Sequence, residues 1–315
     1  MLRSIRQYLD RPSRDLLVAA PYDDAAVWRG DPFVVATMDT MVEEIDFRRG
    51  WPGFDFRLLG RRLMSINLSD LAAMGAQPRH ALIALALQRM TKAKDVGRLY
   101  RGIAEQAHRF GATVAGGDLS VTDGPMTLTA TLVGRVRTSR QVLRRTGARP
   151  GWQIAVTGAI GAAAAGLQLL EAGRLPRTPM ERAWVFAQLD PTPHVAAGQA
   201  LVDAGITVGG DISDGLYREV ERLVEPGLGA TIEIDRLPLA RGLRRDQWPL
   251  AVRDSEDFQL ICAAPRARMS AAQRALHRLG LPLSVIGATD RLRGIRLSDD
   301  GRQVQLARAG YDHFR

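Results

Sequence analysis

The acidic side chains of this chain fall in a pattern that could do chemistry. Asp23 and Asp24 precede a pair of alanines, and Asp39 follows the apolar run 33–38. Asp70 closes the fragment NLSD, Asp118 follows Gly116 and Gly117, and Asp211 and Asp214 sit in GGDISDG. Each stands by a strand end or a turn, beside small residues, where functional loops concentrate. A single aspartate in such a place reads as a helix cap or an Asx-turn. Several together read differently, because two carboxylates ~4 Å apart repel by roughly 4 kcal/mol at an effective dielectric of ~20. A converging set takes up protons or binds cations. With no His or Cys nearby the donors are all hard oxygen, which favours Mg2+.

Glycines supply a second signal. GGD (116–118), VTGAIGAAAAGL (156–167) and GGDISDGL (209–216) bring flexible backbone to strand ends and helix starts. Such backbone can aim N–H groups at phosphate, although tight turns explain each glycine pair more simply. Only Lys92 and Lys94 are lysines, and no glycine precedes either in the G-x-x-x-x-G-K-[ST] arrangement. The lysine-and-HRD set of protein kinases is absent, as are the H-E-x-x-H zinc motif and the G-x-S-x-G elbow. Phosphate chemistry here would rest on metal, arginine and backbone N–H groups.

The elements that must position these residues follow from periodicity. Residues 33–38, 80–87, 112–117, 126–136 and 152–158 read as strands, as do ATIEID, DFQLICAA and LSVIGA. Segments 57–74, 92–110, 162–172, 195–204, 215–225 and 269–279 read as helices, and 176–193, with PRTP and DPTP, reads as loop. NLSDLAAMG and DISDGLYRE echo one another, each placing Ser-Asp near a helix start. Mixed strands and helices give an α/β or α+β class. The charged, turn-rich stretch 137–151 divides the chain into domains 1–138 and 139–315.

At 315 residues, 46% hydrophobic, the chain can bury two cores. It has no apolar run of membrane length and no apolar leader at its start. One cysteine, Cys262, suits a reducing cytoplasm. The net charge of +9 comes from scattered arginines with few aromatics among them, which argues against nucleic acid.

Taken in order, YDDAAV (22–27), MDTMVEE (38–44), NLSDLAAMGAQP (67–78), GGDL (116–119), RRTGARPG (144–151), VTGAIGAAAAGL (156–167), DISDGL (211–216), SEDFQL (255–260) and GYDHF (310–314) resemble the thiamine-monophosphate kinase family of the aminoimidazole ribonucleotide synthetase superfamily. The resemblance spans nearly the whole chain. It implies a two-domain fold whose N-terminal domain forms a β-barrel in a homodimer, followed by a C-terminal α/β domain. It implies ATP as co-substrate, several Mg2+ ions, and direct in-line transfer to thiamine monophosphate. The matching metal positions are Asp24, Asp39, Asp70, Asp118, Asp211 and Asp214. Gly117, Asp118, Arg145 and Ser213 match nucleotide contacts, and Asp46, Glu256 and Tyr311 fall at substrate positions. In-line transfer needs alignment and charge neutralisation and no covalent nucleophile.

The chain departs from the family at Tyr22, Met38, Asp46, Leu119, His194 and Asp254-Ser255. Asp46 and Ser255 fall around the acceptor, which leaves open an ATP-using relative with another acceptor. Loss of the metal site through Tyr22 and Met38 would leave a silent nucleotide- or nucleic-acid-binding protein. Glu256 lies in an apolar context, where a buried carboxylate needs a partner.

Overall fold

The computed structural model describes residues 16–18, 26–29, 33–224, 227–253 and 255–306. Tyr22, Asp23, Asp24, Asp254, Tyr311 and the segment 310–314 lie outside them.

The first half comprises β1 (Leu16–Val18), β2 (Ala26–Arg29), β3 (Phe33–Val42), α1 (Phe56–Ala73), β4 (Gln77–Gln88), α2 (Ala93–Arg109), β5 (Thr113–Thr122) and β6 (Thr127–Val136). The strands form one sheet in the order β1-β2-β3-β6-β4-β5, antiparallel except for β4 with β5. Period-two patterning decides its inner face. Leu128, Ala130 and Leu132 of β6 and Ala81, Ile83 and Leu85 of β4 are buried in one contiguous core with α1 and α2. Asp55 caps α1 by accepting from the Arg57 N–H at 2.6 Å.

The second half comprises β7 (Gln153–Thr157), α3 (Ala162–Glu171), α4 (Pro179–Leu189), α5 (Val195–Asp203), β8 (Val208–Asp211), α6 (Leu216–Val224), β9 (Gly229–Glu233), α7 (Pro249–Val252), β10 (Leu260–Ala264), α8 (Arg266–Arg278), β11 (Leu283–Asp290), β12 (Gly294–Asp299) and β13 (Arg302–Val304). Its sheet runs β13-β12-β9-β11-β7-β10-β8, and only β9 and β12 pair in parallel. Two mainly antiparallel sheets make the class α+β.

Between the sheets, residues 137–152 form no regular element, yet Val142 and Leu143 are buried. The Gly209 N–H donates to the Arg144 carbonyl at 2.9 Å, tying this connection to β8. α1 lies against its own sheet, α2, α5 and β8, so one helix is shared by both halves. The approach of α5 is close: a Cβ at Gly198 would stand 1.9 Å from the Ala72 carbonyl oxygen, so only glycine fits there. Among the described residues no helix is long and apolar enough to cross a membrane.

Three expectations need correction. Residues 176–193 hold a helix, α4, because Pro179 occupies its first turn and Thr178 and Glu181 form a reciprocal capping box. The prolines that read as loop signals are start and stop signals. NLSD lies in the last turns of α1, where Asn67 and Ser69 are buried and reach β3 and β8, whereas DISD does precede a helix. The strand expected from Asp257 begins only at Leu260, because Asp257 caps another helix and Phe258 adopts φ +50°.

Candidate active site

A cavity of about 540 Å³ opens between the halves. α1 supplies Arg62, Ile66 and Asp70 to its wall, spaced four apart so that they stand on one helix face. β3 supplies Thr37, Asp39 and Met41; the loop after β8 supplies Ser213 and Asp214; and Asp211 closes β8. Trp51, Leu167 and Phe258 add apolar surface.

Thr37 donates a hydrogen bond to Asp70 Oδ2, and Asn67 Oδ1 accepts from the Asp39 N–H at 3.1 Å. Ser69 Oγ donates to Asp211 Oδ2 at 2.5 Å. These contacts set carboxylates from three elements around one space. Burial, reinforced by the charge of Asp211, pushes the Asp39 carboxyl up to about 6. Burial and the neighbouring Asp39 raise Asp70 well above the usual range. Burial also raises Asp211, against the pull of Arg145 and Ser69. Asp211 Oδ1 is buried and makes no hydrogen bond.

A divalent cation fits this arrangement: the donors are hard oxygens, one buried oxygen makes no hydrogen bond, and a positive ion would relieve the repulsion. The carboxylates are not drawn to a single point. Among the described residues, only Asp235, Asp299 and Asp300 bring three ligand atoms within 4.8 Å of one another. Arg245 already bridges Asp299 and Asp300 there, at 2.5 and 2.7 Å, so that cluster carries its own counter-charge. An open arrangement suits Mg2+, which keeps several waters and takes one or two carboxylates.

Two guanidinium groups complete the acidic wall. Arg145 Nη2 stands 3.9 Å from Asp211 Oδ1, and Arg145 Nε stands 3.9 Å from Glu219 Oε2. Arg222 Nη2 donates to Asp214 Oδ2 at 2.8 Å, and its Nη1 reaches Glu219. Glu219, buried on α6, therefore touches both arginines; burial pushes its carboxyl up to about 7 despite them. A second cluster lies in the same cavity wall, where Glu256 meets Arg62 and Gln188.

Of the residues singled out from sequence, Asp39, Asp46, Asp70, Arg145, Asp211, Ser213, Asp214 and Glu256 line this cavity. Asp46 Oδ2 accepts from the Val42 N–H at 2.7 Å, a local turn contact. Gly117 and Asp118 stand apart. They lie on β5, three strands from β3, about 14 Å at the usual strand spacing. Asp118 is also one residue out of phase with the row Asp39–Ala130–Ile83–Gly117, so it faces away from Asp39. A Cβ at Gly117 would meet the Ile83 carbonyl oxygen at 1.8 Å, so strand packing accounts for this glycine. The start of α3 is likewise taken: Asp257 accepts from the Gly161 N–H at 2.5 Å and the Ala163 N–H at 3.0 Å. That helix end therefore offers its first N–H groups to a carboxylate of the chain and not to phosphate.

The sequence profile described as AIR synthase related protein, N-terminal domain, matches residues 22–136, and its C-terminal counterpart matches residues 149–300. The thiamine-monophosphate kinase of Rhodopirellula baltica is 34% identical, over 84% of this chain and 83% of its own. The chain belongs to the thiamine-monophosphate kinase family of AIR synthase related proteins. A solved family structure, AaThiL complexed with AMPPCP and TMP, superposes with a TM-score of 0.84 at 26% identity, covering 99% of this chain and 96% of the other. The thiamine-monophosphate kinase of Stenotrophomonas maltophilia K279a gives 0.77 at 30% identity, covering 96% of each chain.

Sequence reasoning about this family member missed Glu219, Arg222, Arg62, Gln188 and Asp257. A signal existed for two of them. Glu219 interrupts the apolar stripe Leu216, Val220, Leu223 of α6, and Arg62 interrupts the buried face of α1. A charge on an apolar stripe demands a partner.

Proposed function

We propose that this chain transfers the terminal phosphoryl group of ATP to thiamine monophosphate, giving thiamine diphosphate and ADP. The observation that carries this reading is the meeting of Asp39, Asp70, Asp211 and Asp214 with Arg145 and Arg222 in one cavity of a thiamine-monophosphate kinase fold. Carboxylates that repel one another beside fixed guanidinium groups are suited to a polyphosphate with its counter-ions.

Asp39, Asp70, Asp211 and Asp214 would hold Mg2+, which when bound neutralises phosphate charge and aligns the transfer. Arg145 and Arg222, steadied by Glu219, present N–H groups to phosphate oxygens. The acceptor phosphate is itself the nucleophile, so the chain needs no covalent intermediate, and among the described residues the wall offers no Ser–His or Cys–His pair. Trp51 and Phe258 offer flat apolar surface to an aromatic acceptor, and Glu256 offers a hydrogen-bond acceptor.

The working form is a homodimer. Leu82, Leu119 and Val121 of the first sheet are apolar and 47–60% exposed, and among the described residues β5 is an edge strand. The compartment is the reducing cytoplasm; Cys262 is fully buried, its thiol pushed up to about 12 by burial, and takes no part in the chemistry. Incubation with ATP, Mg2+ and thiamine monophosphate, followed by chromatography, should yield thiamine diphosphate and ADP in equal amounts. ADP without thiamine diphosphate, or neither, beside a working control enzyme, rejects the reading.

A further inference from the structure

Glu256 stands in the cavity wall apart from the metal-facing carboxylates, paired with Arg62, and its surroundings are unusually determined. Arg62 Nη2 donates to its Oε2 at 2.7 Å and Gln188 Nε2 donates to the same oxygen at 2.9 Å. Arg62 is 3% exposed, and its Nη1 donates to the Gln188 carbonyl, which closes the triangle. The three residues come from three places: α1 of the first half, α4 of the second, and the loop before β10. Glu256 Oε1 accepts no hydrogen bond from any described residue, and the side chain is 37% exposed.

The backbone beneath Glu256 is held as firmly. On its C-terminal side, Asp257 is locked by the Gly161 and Ala163 N–H groups and by Ser255 Oγ at 2.6 Å. Phe258 then takes φ +50°, a left-handed conformation costly for an aromatic residue, and pairs with Ile212 through its N–H at 2.9 Å. Strain of that kind persists where neighbouring contacts over-determine it, and here both flanks do so.

We propose that Arg62 and Gln188 are positioning residues for Glu256. They commit one carboxylate oxygen to a contact between the halves, so that Oε1 faces the acceptor as a fixed, single hydrogen-bond acceptor. The acceptor chemistry this selects is a donor group, an amino substituent on an aromatic ring, and a ring that offers only acceptors there is refused. The inference rests on the reading that this cavity takes the phosphoryl acceptor beside Glu256, and it specifies how that acceptor is chosen.

Steady-state kinetics with ATP and thiamine monophosphate varied separately test it. Gln188→Leu should raise the KM for thiamine monophosphate about ten-fold and move that for ATP less than about two-fold, the loss of one hydrogen bond to a charged group. Arg62→Lys should fall between Arg62→Ala and the unaltered chain. Adding Gln188→Leu to Glu256→Gln should do no further harm, because the glutamine acts only through the carboxylate. Additive losses, or equal rises in both KM values, overturn the proposal. A crystal structure of Gln188→Leu gives a readout that needs no turnover. Glu256 in a changed rotamer supports positioning, and an unmoved Glu256 overturns it. Turnover by the unaltered chain tests the kinase reading on its own, so the two can fail separately.

Discussion

Asp70 carries the sharpest expectation at the scale of single residues. Asp70→Asn keeps the shape and the Thr37 contact but removes one charge from a buried acidic group. Turnover at saturating Mg2+ should fall by about 10²–10³-fold, while the melting temperature without metal should not fall, because repulsion is relieved. Wild-type kcat in this variant contradicts the metal assignment. Glu219→Gln should weaken the hold on Arg145 and Arg222 and lower kcat/KM for ATP by about ten-fold, with the KM for thiamine monophosphate unchanged. Asp39, Asp70, Asp211 and Asp214 were readable as candidates because acidic side chains beside small residues are exceptional wherever they fold together, although Asp39 lies within β3 and Asp70 within α1 and not at strand ends. Gln188 was not readable, because it matters through Arg62 and Glu256, far away in the chain, whereas Glu219 left a trace as a charge on the apolar stripe of α6. Gly117 and Asp118 show the opposite case, a motif that lies away from this cavity and whose glycine is required by the close approach of β4.

Among elements, α4 and α3 teach how local chemistry can mislead. Pro179 preceded by threonine is a helix start, and Thr178→Ala should cost about 1 kcal/mol, a shift measurable by denaturant titration. For α3 the cap comes from Asp257, 94 residues from the Ala163 N–H, and no window of sequence could reveal it. Asp257→Ala leaves those N–H groups without their partner and should destabilise by about 2 kcal/mol, lowering the melting temperature by roughly 5 °C. Strand and helix existence was readable for β3 to β6 of the first sheet and its two helices, while the short strands β1 and β2 were missed. β12 and β13 were missed as well: β12 takes its place by pairing with β9 far back in the chain, and the three-residue β13 pairs only with β12.

For the molecule as a whole, pH and assembly are the measurable consequences. His194 is half-buried at the start of α5, and its Nε2 is buried without a hydrogen bond. Burial lowers its pKa to about 4 from 6.5. The fold keeps it neutral while the unfolded chain takes a proton below 6.5, so this residue's contribution is complete above pH 6.5 and is lost as pH falls toward 4. About 2 kcal/mol is at stake, and His194→Gln should flatten the fall in melting temperature between pH 7 and pH 5. Light scattering after gel filtration should give twice the chain mass, and Leu82→Asp with Leu119→Asp should halve it.

One helix, α1, has a last consequence. It carries Asp70 and Arg62 into the same cavity while Gly198 presses on its end, so on the proposed reading it serves both the phosphates and the acceptor. Any drift of this rod mistunes both ends of the reaction together, so catalytic power and substrate choice cannot be adjusted independently through it. Descent toward a new acceptor, in nature or by laboratory selection, is channelled into residues beside Glu256 that lie off this helix, Gln188 first among them.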